Sequence, residues 1–177
     1  MGTIDAEDML DHVIEHADTP SPVTVSDGRC GPSFAMAPMP GWILHSAAAP
    51  HERTQISAPD DAVALLGPQL RGADRELCLM AVLDTKHRVL GLCTVSVGTC
   101  DHTFMAPREV YRDALLAGAS AIVVAHNHPS GDATPSTDDR RITSRLAQAG
   151  TTLGIDLLDH LVVGDPGWTS LAREGAL

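Results

Sequence analysis

The side chains best able to do chemistry lie in one short run, His126-Asn127-His128-Pro129-Ser130-Gly131-Asp132-Ala133-Thr134-Pro135-Ser136-Thr137-Asp138-Asp139. The run follows an apolar, β-branched stretch, Ala-Ser-Ala-Ile-Val-Val-Ala (residues 119–125), which reads as a strand covered on both faces. Residues two apart on an extended chain share a face, so His126 and His128 point the same way. Two imidazoles so placed can converge on one metal ion at about 2.0–2.1 Å. Pro129 is expected to keep the chain extended there. A Gly/Pro loop then leads to a helix whose start carries Ser136 and Asp139. Folded back over the strand end, that helix makes Asp139 a third, oxygen ligand. Two histidines, a carboxylate and an open position are the shell of a catalytic rather than a structural zinc. Such a site lowers the pKa of its water toward about 7 and polarises a carbonyl. It also needs a carboxylate to carry the water's proton to the leaving group, for which Glu76 and Glu109 are the candidates.

Each piece also has a structural reading. A lone His-x-His after a strand is more often two polar loop residues than a metal site. Ser136-Thr137-Asp138-Asp139 is a helix cap in its own right, with Asp three residues after Ser. The two readings are compatible, because a capping residue can also face a metal. His160, preceded by Asp159 on an apolar strand, is a hydrogen-bonded core histidine or a partner of the site. Asp132 and Asp138 read as solvated loop and helix-start residues. His12, His16, His45, His51, His87 and His102 show no ligand spacing.

The elements that must position this run can be read on either side of it. Residues 4–17 space Met9, Leu10, Val13, Ile14 and Ala17 as an amphipathic helix. Residues 19–55 hold six of the twelve prolines and favour loop or a loosely packed arm. Trp42, Ile43 and Leu44 could anchor that arm on the domain or on a second subunit of a homo-oligomer. Ser57-Ala58-Pro59-Asp60 reads as a helix start with Ser57 as cap, and the helix stops at Gly72. Residues 76–83 and 88–97 form a hairpin around Asp84-Thr85-Lys86-His87. Helices are expected from Pro107 to about Gly118 and from Ser136 to Ala149, the second stopping at Gly150. Leu157 to Gly164 is a further strand. The order is that of a layered α/β domain over residues 56–177, with residues 1–55 as an acidic, proline-rich arm.

Composition narrows the partners. The 177 residues carry a net charge of -11 and are 44% hydrophobic. Disorder over the whole length is thereby excluded. Residues 1–60 hold nine Asp/Glu against Arg29 and Arg53, a balance of -7, and the rest contribute -4. No basic stripe suits a phosphate backbone, so direct nucleic-acid binding is not expected. Arg140, Arg141 and Arg145 are the one basic cluster and fit a solvated helix face. No apolar run approaches the roughly 18 residues of a membrane span, and the acidic N-terminus is unlike a secretory signal. A cytoplasmic location is expected. Cys30, Cys78, Cys93 and Cys100 form no CxxC pair and read as free thiols.

The spacing His126-x-His128-Pro129, then Ser136-x-x-Asp139, resembles the signature of JAMM (MPN-plus) metalloenzymes. His-Asn-His-Pro-Ser-Gly-Asp resembles the RadC branch in particular. So do Pro107-Arg108-Glu109-Val110, Gly98-Thr99, Leu157-Leu158-Asp159-His160 and Arg173-Glu174-Gly175. The similarity covers residues 55–177. It implies a cytidine-deaminase-like α/β fold, a mixed sheet flanked by helices. It further implies one Zn2+ per chain and hydrolysis of a peptide or isopeptide bond by a metal-bound water. By position, His126, His128 and Asp139 match the metal ligands, and Ser136 matches the serine that helps hold the oxyanion. Glu76 matches the catalytic glutamate at the start of the first core strand, while a helix-dipole contact is a sufficient account of Glu109. The helix-hairpin-helix segment usual before this domain in the RadC branch is not seen in residues 1–55. Asn127 stands where deubiquitinating members carry Ser or Thr.

The leading expectation is therefore a zinc-dependent hydrolase acting on a peptide or protein substrate. A DNA repair or recombination-associated factor is the role that the RadC name suggests. A non-haem iron(II) oxygenase shares the ligand set but usually sits on an all-β barrel. A metal-stabilised interaction module without turnover is the remaining reading.

Overall fold

The computed structural model describes residues 34–36, 43–46, 49, 51–99 and 105–177. The expected helix over residues 4–17, and with it His12, His16, Cys30, Trp42, Cys100 and His102, lies outside them. The strands are β1 (Phe34–Met36), β2 (Ile43–Ser46), β3 (Leu77–Leu83), β4 (Val89–Val97), β5 (Ala121–Asn127), β6 (Asp156–Val163) and β7 (Trp168–Ser170). The helices are α1 (Pro59–Leu70), α2 (Pro107–Leu116) and α3 (Thr137–Leu153).

The strands form one mixed sheet in the order β1-β2-β4-β3-β5-β6-β7, with β5 and β6 parallel and every other pair antiparallel. The parallel pair needs a crossover, which α3 supplies. The pleat of β5 sorts its side chains into two cores. Ile122 and Val124 join Met80, Val82, Tyr111, Ala114 and Leu146 under α2 and α3. Ala121, Val123 and Ala125 join Leu79, Ala81, Ala62, Leu66 and Leu70 under α1. Every residue of β5 is therefore buried, as its apolar sequence requires. The expected mixed sheet with helices on its faces is the fold observed.

Some local expectations need correction. Residues 34–36 and 43–46, within the stretch read as loop or arm, form strands, and Ile43 pairs with Cys93 and Leu44 with Leu92. Pairing to the edge of an existing sheet supplies the hydrogen bonds that a proline-rich composition gave no reason to expect. At α1 the cap is not the Ser57 side chain. Ala58 is the cap residue, and the Asp61 carboxylate accepts the N–H groups of Ser57 and Ala58 at 2.8 and 2.9 Å. Nor does α3 stop at Gly150. It runs to Leu153 and ends on Gly154, whose φ of 71° is the left-handed cap. Gly150 is needed for space: a Cβ there would lie 2.4 Å from the Tyr111 hydroxyl oxygen and 2.4 Å from the Ile155 carbonyl.

Cys78 and Cys93 sit on neighbouring strands as buried free thiols, Cys78 opposite Ser96 and Cys93 opposite Met80. Burial pushes the Cys93 thiol up to about 12. No helix among the described residues is long and apolar enough to cross a membrane.

Candidate metal centre

The carboxyl end of β5 and the amino end of α3 meet, and there His126, His128 and Asp139 come together. One ligand atom from each lies within 4.8 Å of the others. His126 Nε2 is 3.1 Å from His128 Nε2 and 3.2 Å from one Asp139 oxygen, and His128 Nε2 is 3.5 Å from the other oxygen. Ligands about 2.0–2.1 Å from a tetrahedral ion stand about 3.3–3.4 Å apart, so these separations suit a single small cation.

The loop between the histidines and Asp139 is a tight turn. Gly131 N–H donates to the His128 carbonyl at 3.0 Å, with Pro129 at the second position. Pro129 thus turns the chain where an extended segment was expected, because the turn begins one residue after the ligand. Two contacts hold the turn on the end of β6: His128 N–H to the Val163 carbonyl at 2.9 Å, and Asp165 N–H to the Gly131 carbonyl at 3.0 Å. A Cβ on Gly164 would lie 2.3 Å from that Gly131 oxygen, so glycine is required for this approach. The turn also aims the Asp132 carbonyl at His128 Nδ1, 2.7 Å away.

Asp139 is both cap and site residue. Its backbone N–H donates to Ser136 Oγ at 3.1 Å, while Ser136 N–H and the Ser136 hydroxyl both donate to Asp139 Oδ2 at 2.7 Å. The capping reading and the metal-facing reading of this pair hold together. Burial alone would raise the Asp139 carboxyl, but hydrogen bonds from His126 and His128, the charge of His126 and the Ser136 hydroxyl hold it well below the usual carboxylate range. The same carboxylate raises the pKa of His128.

Glu76 immediately precedes β3, and its charge also favours protonated His128. Asn127 fixes its backbone from both sides, through Leu77 N–H at 2.8 Å and the Arg75 carbonyl at 3.0 Å. Glu109 instead lies in the first turn of α2, where Arg112 is 3.5 Å away. Asp138 pairs with Arg141 at 3.0 Å on the exposed face of α3, and Arg140 pairs with Glu174. His51 and His87 are exposed.

Beyond the ligand set stand three partners of the site: His160, for which the sequence leaves a core and a site reading open, and Thr143 and the Asp132 carbonyl, which the sequence does not single out as such. His160 is fully buried, with Nε2 2.9 Å from His126 Nδ1 and Nδ1 2.6 Å from the Thr143 hydroxyl. Burial lowers its pKa, because a charged ring would have no water around it. Asp159 fixes the backbone beneath it by accepting His160 N–H at 2.7 Å. Thr143 follows Asp139 by four residues and so shares its helix face, a signal the sequence did contain. The Asp132 contribution is a carbonyl, which no residue type announces.

The two decisive histidines, the capped aspartate and the strand–turn–helix that joins them lie within the span matched by a family profile, the RadC-like JAB domain, over residues 56–176. This chain belongs to the RadC-like JAB domain family. It is 47% identical over 125 residues to a UPF0758 protein of Moorella thermoacetica, covering 71% of this chain and 55% of that protein. A UPF0758 protein of Methanosarcina acetivorans is 40% identical over 123 residues, 70% of this chain and 54% of the relative. The chain thus spans little more than half the length of the curated relatives it matches. In this RadC-like JAB domain the His-His-Asp group could hold a metal. His128 Nδ1 faces the Asp132 carbonyl, which only accepts, so a neutral His128 ring carries its proton there and leaves Nε2 toward His126 and Asp139. Two imidazole nitrogens and a carboxylate gathered this closely are a donor set that suits a cation.

Proposed function

We propose that this RadC-like JAB domain is a zinc-dependent hydrolase that cleaves a peptide or isopeptide bond in a peptide or protein substrate. What supports the reading is the gathering of the two Nε2 atoms and the Asp139 carboxylate within reach of a single ion. His126, His128 and Asp139 would hold the zinc, which when bound would supply a Lewis acid and lower the pKa of water toward about 7. Glu76, held beside His128 by the Asn127 clamp, takes the proton of the attacking water and passes it to the leaving nitrogen. Ser136, now bonded to Asp139, turns its hydroxyl to the oxyanion as the carbonyl is attacked. A shallow cleft lined by Leu70, Arg71, Asn127, His128, Pro129 and Asp165 gives the substrate a place to lie beside His128. A duplex partner gains little from the nearby arginines, because Arg140 and Arg141 are already paired with carboxylates.

The test begins with elemental analysis of the wild type and of His128→Ala, each purified after zinc is offered. About one zinc per chain in the wild type, lost in the variant, is the expected result. Peptide and isopeptide libraries then supply the assay, in which Glu76→Gln should keep its zinc and lose turnover. Iron in place of zinc, no metal at all, or an active Glu76→Gln would overturn the assignment.

A further inference from the structure

We propose that Thr143 and His160 form a positioning relay that fixes His126 in its Nδ1–H tautomer and so aims its Nε2 lone pair at the cation. The inference rests on the metal reading above but concerns residues outside the ligand set. It follows from which atoms can carry protons. The Thr143 hydroxyl lies 2.6 Å from the Asp139 backbone carbonyl, a group that only accepts. Two oxygens that close without a proton between them repel, so Thr143 donates its one hydrogen there. Its oxygen must then accept from His160 Nδ1, 2.6 Å away. The His160 ring is 0% exposed and its two nitrogens meet only Thr143 and His126, so with its one proton committed to Thr143 it has a lone pair at Nε2, and His126 Nδ1, 2.9 Å away, is the donor to it. Only Nε2 of His126 is left without a proton, and it is the atom that faces His128 and Asp139.

The chain of bonds starts and finishes on one residue. Asp139 offers its carbonyl to Thr143 at one end and its carboxylate to the ligand cluster at the other. His126, Thr143 and His160 are each 0% exposed, so water does not compete for these bonds. The reverse proton order would place a hydrogen on His126 Nε2, where a cation belongs, and would leave the Thr143–Asp139 contact without one. The His160 position follows from the parallel register of β5 and β6, in which His160 pairs with Val124, two residues before His126. His128 has its own orienting group in the Asp132 carbonyl, so the relay acts on one ligand alone.

The ring-nitrogen NMR signals of His126 in the metal-free protein near pH 8 read the tautomer directly, and zinc affinity follows from competition with a chromophoric chelator. Wild type should show Nδ1–H at His126. Thr143→Val keeps the shape and removes the hydroxyl; it should mix the tautomers and weaken zinc binding about 10–100-fold. Thr143→Ser should restore both to near wild type. An Nε2–H His126 in the metal-free wild type would overturn the relay, as would a Thr143→Val protein with wild-type tautomer and affinity. The wild-type measurement decides the matter even if Thr143→Val does not fold. A wild type that binds no zinc defeats the metal reading, while its His126 tautomer still decides the relay.

Discussion

The side-chain amide of Asn127 holds the backbone on both sides of Glu76, accepting from Leu77 N–H at 2.8 Å and donating to the Arg75 carbonyl at 3.0 Å. Because the two partners differ in kind, the orientation of the amide is determined. Strand alternation puts His126 and His128 on the face covered by α3 and Asn127 on the opposite one, from which its amide reaches the backbone at the start of β3. One short sequence, His-Asn-His, therefore carries two ligands on one side and a clamp for the proposed proton carrier on the other.

Asn127→Ala should leave zinc content unchanged while freeing the segment around Glu76. Two backbone groups lose their partner, at a cost of about 2 kcal/mol in urea unfolding. Amide exchange at Leu77 should speed up while exchange at Met80, deeper in β3, stays slow. Unchanged exchange at Leu77 would mean that the clamp does not hold it.

Ser136→Ala removes an N-cap and one hydrogen bond to a candidate ligand at once. Unfolding free energy should fall by about 1 kcal/mol, the usual value of such a cap. Zinc should still bind, more weakly, because the Asp139 carboxylate loses the hydroxyl that orients it. Thermal melts with and without zinc measure the two effects, and Ser136→Thr should recover most of both.

Gly150→Ala reverses the ordinary rule. In an exposed helix interior this change stabilises by about 1 kcal/mol. Here the new methyl meets the Tyr111 hydroxyl and the Ile155 carbonyl at 2.4 Å each, so the expected result is a loss of about 2 kcal/mol or more. Adding Tyr111→Phe should recover only part of the loss, since the Ile155 carbonyl is backbone. Denaturant midpoints of the three proteins decide it.

The β3–β4 turn gives stability a pH dependence away from the metal centre. Burial would raise the Asp84 carboxyl, but the Arg88 guanidinium, with the N–H groups of Arg88 and Lys86, lowers it to about 2. A carboxylate depressed on folding stabilises above its unfolded value of about 3.9, and that contribution disappears as pH falls through the folded value. After screening at this partly exposed position, the contribution is on the order of 1 kcal/mol. Asp84→Asn should be less stable than wild type by that amount at pH 7, with the gap closing between about pH 4 and 2. A gap that stays constant with pH would assign the loss to the turn's hydrogen bonds and not to the charge.

Much of this protein was readable one residue at a time. The apolar run before His126 determined a doubly buried strand, the hairpin around Asp84 and the helix after Ser136 followed from local periodicity and turn residues, and the histidine, serine and aspartate spacing pointed to His126, His128 and Asp139. These features depend on neighbours within a few positions, which is the range over which dihedral preference and side-chain alternation act. What depended on distant chain segments was decided only by the tertiary structure. Pairing of residues 34–36 and 43–46 to the sheet edge needs an edge to exist, and the reason for a glycine at 150 inside α3 is the close approach of Tyr111 from another helix. The role of His160 likewise needs β6 beside β5 in one register, and Thr143 gains its second partner only when α3 packs over that strand. Asn127 acquired a function because β3 begins opposite it, 50 residues earlier in the chain. A residue type states which hydrogen bonds are available; only the packed fold decides which partner each one meets.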